Sequence, residues 1–143
     1  MKLVDNSKLG EQISLLNRSE GVIDYERLRV IGWGRNSQES TLTASLQYLD
    51  LPAIPNNVCK EQYGTFGKNI SSSTLCAGFS AGELDFCVGT SGSGAVVMRN
   101  GIPKLSGLVS WGLGCGSSGR GFGVYTRISS IVEWIEDTLD SEI

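Results

Sequence analysis

The chain contains no histidine in 143 residues. That absence removes imidazole from any chemistry the chain performs with its own side chains, whether as metal ligand or as general base. Positive charge is also sparse. Twelve Lys and Arg stand against 15 Asp and Glu, a net charge of -3, and no basic cluster marks a phosphate-binding surface. Nucleic acid is therefore excluded as an expected partner. No stretch approaches the roughly 18 apolar residues of a membrane span, so no membrane contact is expected of this chain. Met1-Lys2-Leu3-Val4-Asp5 leads into Asn, Ser and Lys, not into the apolar segment of a secretory leader. Neither a C-x-x-C pair nor a histidine is available to a zinc site, and no metal or cofactor is expected.

What is present points to a small, cross-linked β domain. The four cysteines, Cys59, Cys76, Cys87 and Cys115, are even in number. Two disulfides are the natural reading, which implies an oxidising, extracellular setting, and counting alone leaves three pairings open. Asn17-Arg18-Ser19 and Asn69-Ile70-Ser71 are N-x-S sequons that agree weakly with that setting. Hydrophobic residues make up 40% of the chain, enough for one core. The glycines concentrate between Gly78 and Gly123, interleaved with Cys, Trp, Tyr, Val and Leu. That mixture predicts short strands and tight turns in place of a disordered linker.

Val30-Ile31-Gly32-Trp33-Gly34 reads as a buried strand ending in a turn. From Thr41 to Tyr48, Leu42, Ala44, Leu46 and Tyr48 alternate with polar residues, which predicts a half-buried strand closed by Pro52 and Pro55. Asn56 to Tyr63 suits a short helix capped by Asn56 or Asn57. Ala95–Met98 and Leu105–Trp111 read as strands, and Asn100-Gly101 between them is a strong hairpin signal. Val124-Tyr125-Thr126 adds a further strand. A terminal helix follows, with Ser130 to Glu133 as a capping box and Ile131, Trp134, Ile135 and Leu139 on one face. Many short strands and one terminal helix predict an antiparallel barrel or sandwich.

Six segments then occur in a telling order: Val30-Ile31-Gly32-Trp33-Gly34, Leu75-Cys76-Ala77-Gly78, Cys87-Val88-Gly89-Thr90-Ser91-Gly92, Val109-Ser110-Trp111-Gly112, Gly123-Val124-Tyr125-Thr126-Arg127 and Glu133-Trp134-Ile135. Together they resemble the C-terminal half of a trypsin-like serine protease of the chymotrypsin family. The resemblance implies an all-β fold over residues 1–143: the C-terminal antiparallel barrel of a two-barrel protein, ending in a helix, with the N-terminal barrel absent. It implies a serine endopeptidase cutting after Lys or Arg. Ser91 matches the nucleophile, and Gly89 matches a residue whose backbone N–H stabilises the oxyanion. Asp85 matches the charged base of the specificity pocket. Phe86 stands beside that base, where a small residue is usual, and could narrow the pocket. Gly112 and Gly123 match the pocket walls. Ser110, Trp111 and Gly112 match the edge that pairs with substrate backbone. The resemblance also pairs Cys59 with Cys76 and Cys87 with Cys115. A third bridge of the family is missing, and apolar Leu28 and Val97 stand about where its cysteines would be. The G-x-G-x-x-G pattern at Gly114–Gly119 is set aside, since no helix opens on it.

The family's catalytic His and Asp lie in the half that precedes these motifs. Met1 is therefore expected to be an internal methionine with the catalytic Asp a few residues upstream. Alone, the chain is expected to be inactive and to expose an apolar junction face. Thr90 stands where the family carries an Asp that pairs with the N-terminus freed on activation, and a hydroxyl cannot form that ion pair. Ser93 and Gly94 replace Gly and Pro. Those departures sustain a second reading, a non-catalytic homologue that acts by binding protein. A third, weaker reading is a stand-alone binding module. Expected partners are a polypeptide substrate or binding protein, the missing barrel and protein inhibitors. The expected location is extracellular and secreted.

Overall fold

A computed structural model describes residues 10, 12–33, 45–79, 91–113 and 121–141. Within them the order is β1 (Ser14–Leu15), β2 (Arg27–Gly32), β3 (Gln47–Ile54), α1 (Asn56–Gly64), β4 (Thr74–Ala77), β5 (Gly94–Arg99), β6 (Ile102–Trp111), β7 (Gly123–Arg127) and α2 (Val132–Ser141). A 3-10 turn over Ile128–Ser130 precedes α2. The seven strands run β1-β6-β5-β2-β3-β4-β7, and a further β6–β7 pairing closes all but β1 into an antiparallel barrel. Closure leaves no open edge between β6 and β7, the strand ends that carry the site.

Alternation along β2 explains its place. Leu28, Val30 and Gly32 point inward while Arg27, Arg29 and Ile31 face out. Leu28 and Val30 join Leu16, Leu51, Leu75 and Val97 in the barrel core. The β2–β5 register pairs Arg29 with Val96 and Val30 with Ala95, so Leu28 falls opposite Val97. Both are fully buried in the same core cluster. The β5–β6 hairpin forms as expected. Asn100 and Gly101 both adopt positive φ (51° and 80°), the two-residue turn whose twist matches the flanking strands.

Three local expectations are corrected. The strand expected over Thr41–Tyr48 begins instead at Gln47 and runs through Pro52 to Ile54; Thr41 to Ala44 lie outside the described residues. Leu46 and Tyr48 are more than half exposed, and Tyr48 carries the Arg29 guanidinium 4.3 Å above its ring. Pro52 does not end the strand because Ala53 makes the bonds toward β2, donating to Glu26 O at 2.7 Å. The proline nitrogen then faces the end of β4, where its missing N–H breaks no ladder.

Helix α1 forms, but neither Asn56 nor Asn57 caps it; Pro55 holds the N-cap position. Asn56 instead donates to Ser71 O and accepts from Arg127 at 2.8 Å. The capping box of the last helix is also absent. Ser130 Oγ donates back to Arg127 O at 2.7 Å, and Glu133 pairs with Arg18 at 3.2 Å. Ile131 supplies the first helix-accepting carbonyl, to Ile135 N. Of α2 only Val132 is buried, whereas Trp134 is 67% exposed.

Two ion pairs bind the 17–26 segment to the hairpin, Lys104–Glu20 at 2.7 Å and Arg99–Glu26. Burial pushes the Glu26 carboxyl up, but the Arg99 hydrogen bond, the Ile23 N–H and the Arg99 charge together outweigh it and hold the group below its ordinary 4.5. A depressed carboxylate stabilises the fold above its unfolded pKa and loses that contribution as pH falls through the folded value. Stability is therefore expected to fall as the pH drops below about 4.5, and Glu26→Gln should flatten that dependence in denaturant titrations. An unchanged acid limb in the variant would contradict this role.

Candidate active site

Ser91 lies at the barrel rim, exposed, where the chain enters β5. Its position follows from backbone bonds. Gly92 N–H donates to Val109 O at 2.8 Å, and Val109 N–H donates to Ser93 O at 2.9 Å. These two bonds, from Val109 to two successive residues, extend the β5–β6 pairing beyond Gly94–Leu108 and carry Ser91 to the Ser110–Trp111 end of β6. Gly92 has φ +85°, a conformation that a β-substituted residue resists. The turn thus presents the Ser91 hydroxyl to solvent on a rigid strand end.

Ser110, Trp111, Gly112 and Gly123 gather at the same rim. The β6–β7 register shifts between Val109 and Trp111, so Ser110 is the irregular residue. A bulge of this kind re-aims side chains next to sites. Trp111 pairs with Val124 and is 38% exposed. Beyond it Gly112 and Gly123 approach closely: a methyl group on Gly112 would lie 4.0 Å from the Gly123 Cα, and one on Gly123 would lie 3.1 Å from the Tyr125 ring.

Behind these strand ends stands Tyr63, whose role is not evident from the sequence. It is fully buried, stacks edge-on against Trp111 with ring centroids 5.0 Å apart, and donates its hydroxyl to Phe122 O. Gln62 Oε1 accepts from Phe122 N–H at 3.3 Å. Helix α1 therefore braces the end of β6 and the approach to β7. The legible signal is the i, i+4 spacing of Cys59 and Tyr63, which puts both on the buried face of α1. Cys59 is bonded to Cys76 with Cα atoms 6.4 Å apart, fixing α1 to β4. Gly121 is the tightest point. A Cβ there would sit 2.9 Å from Tyr63 Oη, and the ring is already fixed by its bond to Phe122. Gly121→Ala is expected to cost about 1–3 kcal/mol by overpacking, read as a lower denaturation midpoint. An unshifted midpoint would show that the Tyr63 ring gives way.

Asp85, Phe86, Cys87, Gly89, Thr90 and Cys115 lie outside the described residues. The structure brings together Ser91, Ser110, Trp111, Gly112 and Gly123, and it forms the Cys59–Cys76 bridge. Chemically, the arrangement offers a solvent-facing serine beside a strand end and two closely approaching glycines.

This combination of a closed antiparallel barrel, a terminal helix and a serine-bearing rim is the chymotrypsin-like type of barrel. Residues 2–135 match the family model for trypsin. Transmembrane protease serine 11G of Mus musculus and of Rattus norvegicus are each 38% identical to the chain over 116 residues. The chain belongs to the trypsin family of serine proteases. The match covers 80% of this chain but 27% of each relative, so the chain spans about a quarter of the length of the curated relatives it matches. No helix among the described residues is long and apolar enough to cross a membrane.

Proposed function

We propose that this barrel is the nucleophile-bearing half of a serine endopeptidase that cuts after Lys or Arg. The observation that carries the reading is Ser91, exposed and pinned by its neighbours to Val109 beside the Trp111–Gly112 edge, in a chain of the trypsin family. Ser91 acts as nucleophile, and Gly89 and Ser91 N–H groups receive the oxyanion. The substrate backbone adds as a strand along Ser110–Gly112. Gly112 and Gly123 leave room for a long side chain, and Asp85 pairs with its charge, with Phe86 beside it. Cys87–Cys115 ties the nucleophile loop to the pocket wall.

With no histidine in the chain, the general base and its orienting Asp come from a second barrel. The exposed Trp134 and Leu139 of α2 support a partner surface of that kind. The Cys59–Cys76 bridge supports an extracellular-facing location. It does not distinguish release from tethering, and the mouse and rat relatives bear the name of transmembrane proteases. Polypeptides are the substrates, and protein inhibitors would enter the same site.

A peptide-library digest by the natural protein tests the specificity. Cleavage is expected after Lys and Arg, with that preference lost in Asp85→Asn. Cleavage after large apolar residues in the unaltered protein would overturn the assignment of Asp85. Binding of a protein ligand without any cleavage would favour the non-catalytic homologue, a reading to which Thr90, Ser93 and Gly94 lend support.

A further inference from the structure

The two N-x-S sequons are alike in sequence and unlike in structure. Asn17, Arg18 and Ser19 form an exposed turn just after β1. Ser19 Oγ donates to Asn17 Oδ1 at 2.9 Å, and Glu20 N–H donates to the same oxygen at 2.8 Å. Both bonds described for the Asn17 side chain fall on its oxygen, which turns the Nδ2 amide outward. These contacts span two and three residues, so the chain can form them without the rest of the barrel. Folding then holds the turn in place through Arg18–Glu133 and Glu20–Lys104.

Asn69-Ile70-Ser71 is built the other way. The Ser71 hydroxyl engages Ser73 at 2.8 Å and Thr74 at 3.0 Å, not Asn69. Ser71 O accepts from Asn56. Ile70 is 1% exposed, packed in the cluster with Cys59 and Tyr63. The sequon also lies within the loop closed by the Cys59–Cys76 bridge, so forming that bond withdraws it from an enzyme that needs an extended, accessible segment.

We infer that Asn17 is an N-glycosylation site and Asn69 is not, because Ser19 is bonded to its sequon asparagine in an exposed turn whereas Ser71 is committed to its own turn and Ile70 to the core. The inference rests on the extracellular-facing reading. The donor is an oligosaccharide linked to a lipid pyrophosphate. A bond forms between Asn17 Nδ2 and the anomeric carbon, the bond from that carbon to the pyrophosphate oxygen breaks, and the amide gives up one proton as the lipid pyrophosphate leaves.

The test is peptide mapping of the protein expressed from its natural gene in a eukaryotic secretory cell, with the state of Cys59 and Cys76 determined in the same sample. The expected result is a glycan on Asn17, an unmodified Asn69 and an oxidised Cys59–Cys76 pair. Ser19→Ala, which leaves Asn17 in place, is expected to lose one glycan's mobility shift, and Ser19→Thr to keep it. Bare Asn17 in protein whose Cys59–Cys76 bridge has formed would overturn the inference while leaving the location intact. A glycan on Asn69 would overturn the argument from Ser71 and Ile70. Reduced Cys59 and Cys76 with both asparagines bare would overturn the extracellular-facing reading and this inference with it.

Discussion

In the protein assembled with a histidine-bearing second barrel, Ser91→Ala is expected to lower turnover about a million-fold, the loss that follows removal of a serine nucleophile in a comparable protease. The substitution removes one exposed oxygen and touches no core contact, so stability should stay unchanged. KM should move little, because Trp111, Gly112 and Gly123 are left in place. That split between kcat and KM separates a nucleophile from a surface serine that helps to bind substrate. The 143-residue chain provides the internal control. Without histidine, the unaltered chain and its Ser91→Ala variant should be equally poor catalysts, since an unactivated hydroxyl attacks a peptide weakly. Hydrolysis by the isolated chain that depends on Ser91 would contradict the need for a second barrel.

The largest stability effect is expected from the Cys59–Cys76 bridge. Its half-cystines lie 17 residues apart and are fully buried. Cross-linking a loop near that length stabilises by about 3 kcal/mol in the chain-entropy view. Replacing both cysteines with Ala should lower the denaturation midpoint accordingly. The consequence should reach the site, because α1 carries Tyr63 and Tyr63 contacts both Trp111 and Phe122. Weaker substrate binding should therefore accompany the loss of stability. A midpoint shift with unaltered KM would show that α1 does not need the bridge to brace Trp111 and Phe122.

The parts of the molecule legible in its sequence are those written in short-range terms. Asn100-Gly101 dictates its turn through two positive φ angles, and with it the β5–β6 hairpin. The strand at Val30 is legible too, but it starts earlier, at Arg27, and Ile31 faces out where the sequence predicts a buried strand. The motifs single out Ser91, Ser110, Trp111, Gly112 and Gly123, which the strand register sets at neighbouring strand ends. What is illegible depends on distant partners. Thr41–Tyr48 alternates well, yet Leu46 and Tyr48 face out because the barrel wall is made by Leu51, Ala53 and Ile54, past a proline that ordinarily stops a strand. Asn56 and Ser130 have the chemistry of caps, but Arg127 draws on both: its guanidinium takes the Asn56 oxygen and its carbonyl takes the Ser130 hydroxyl. Tyr63 looks like an ordinary helix residue until β6 and β7 arrive against it. The apolar stripe at the end of the chain is legible as a face, and the described residues leave its Trp134 and Leu139 exposed.

The most direct measurement is reaction of the natural, processed protein with a fluorophosphonate probe, followed by peptide mapping. The account predicts covalent label on Ser91, lost in Ser91→Ala and suppressed by a peptide ending in Lys or Arg. Folded, processed protein with an intact Cys59–Cys76 bridge and no label on Ser91 would contradict it.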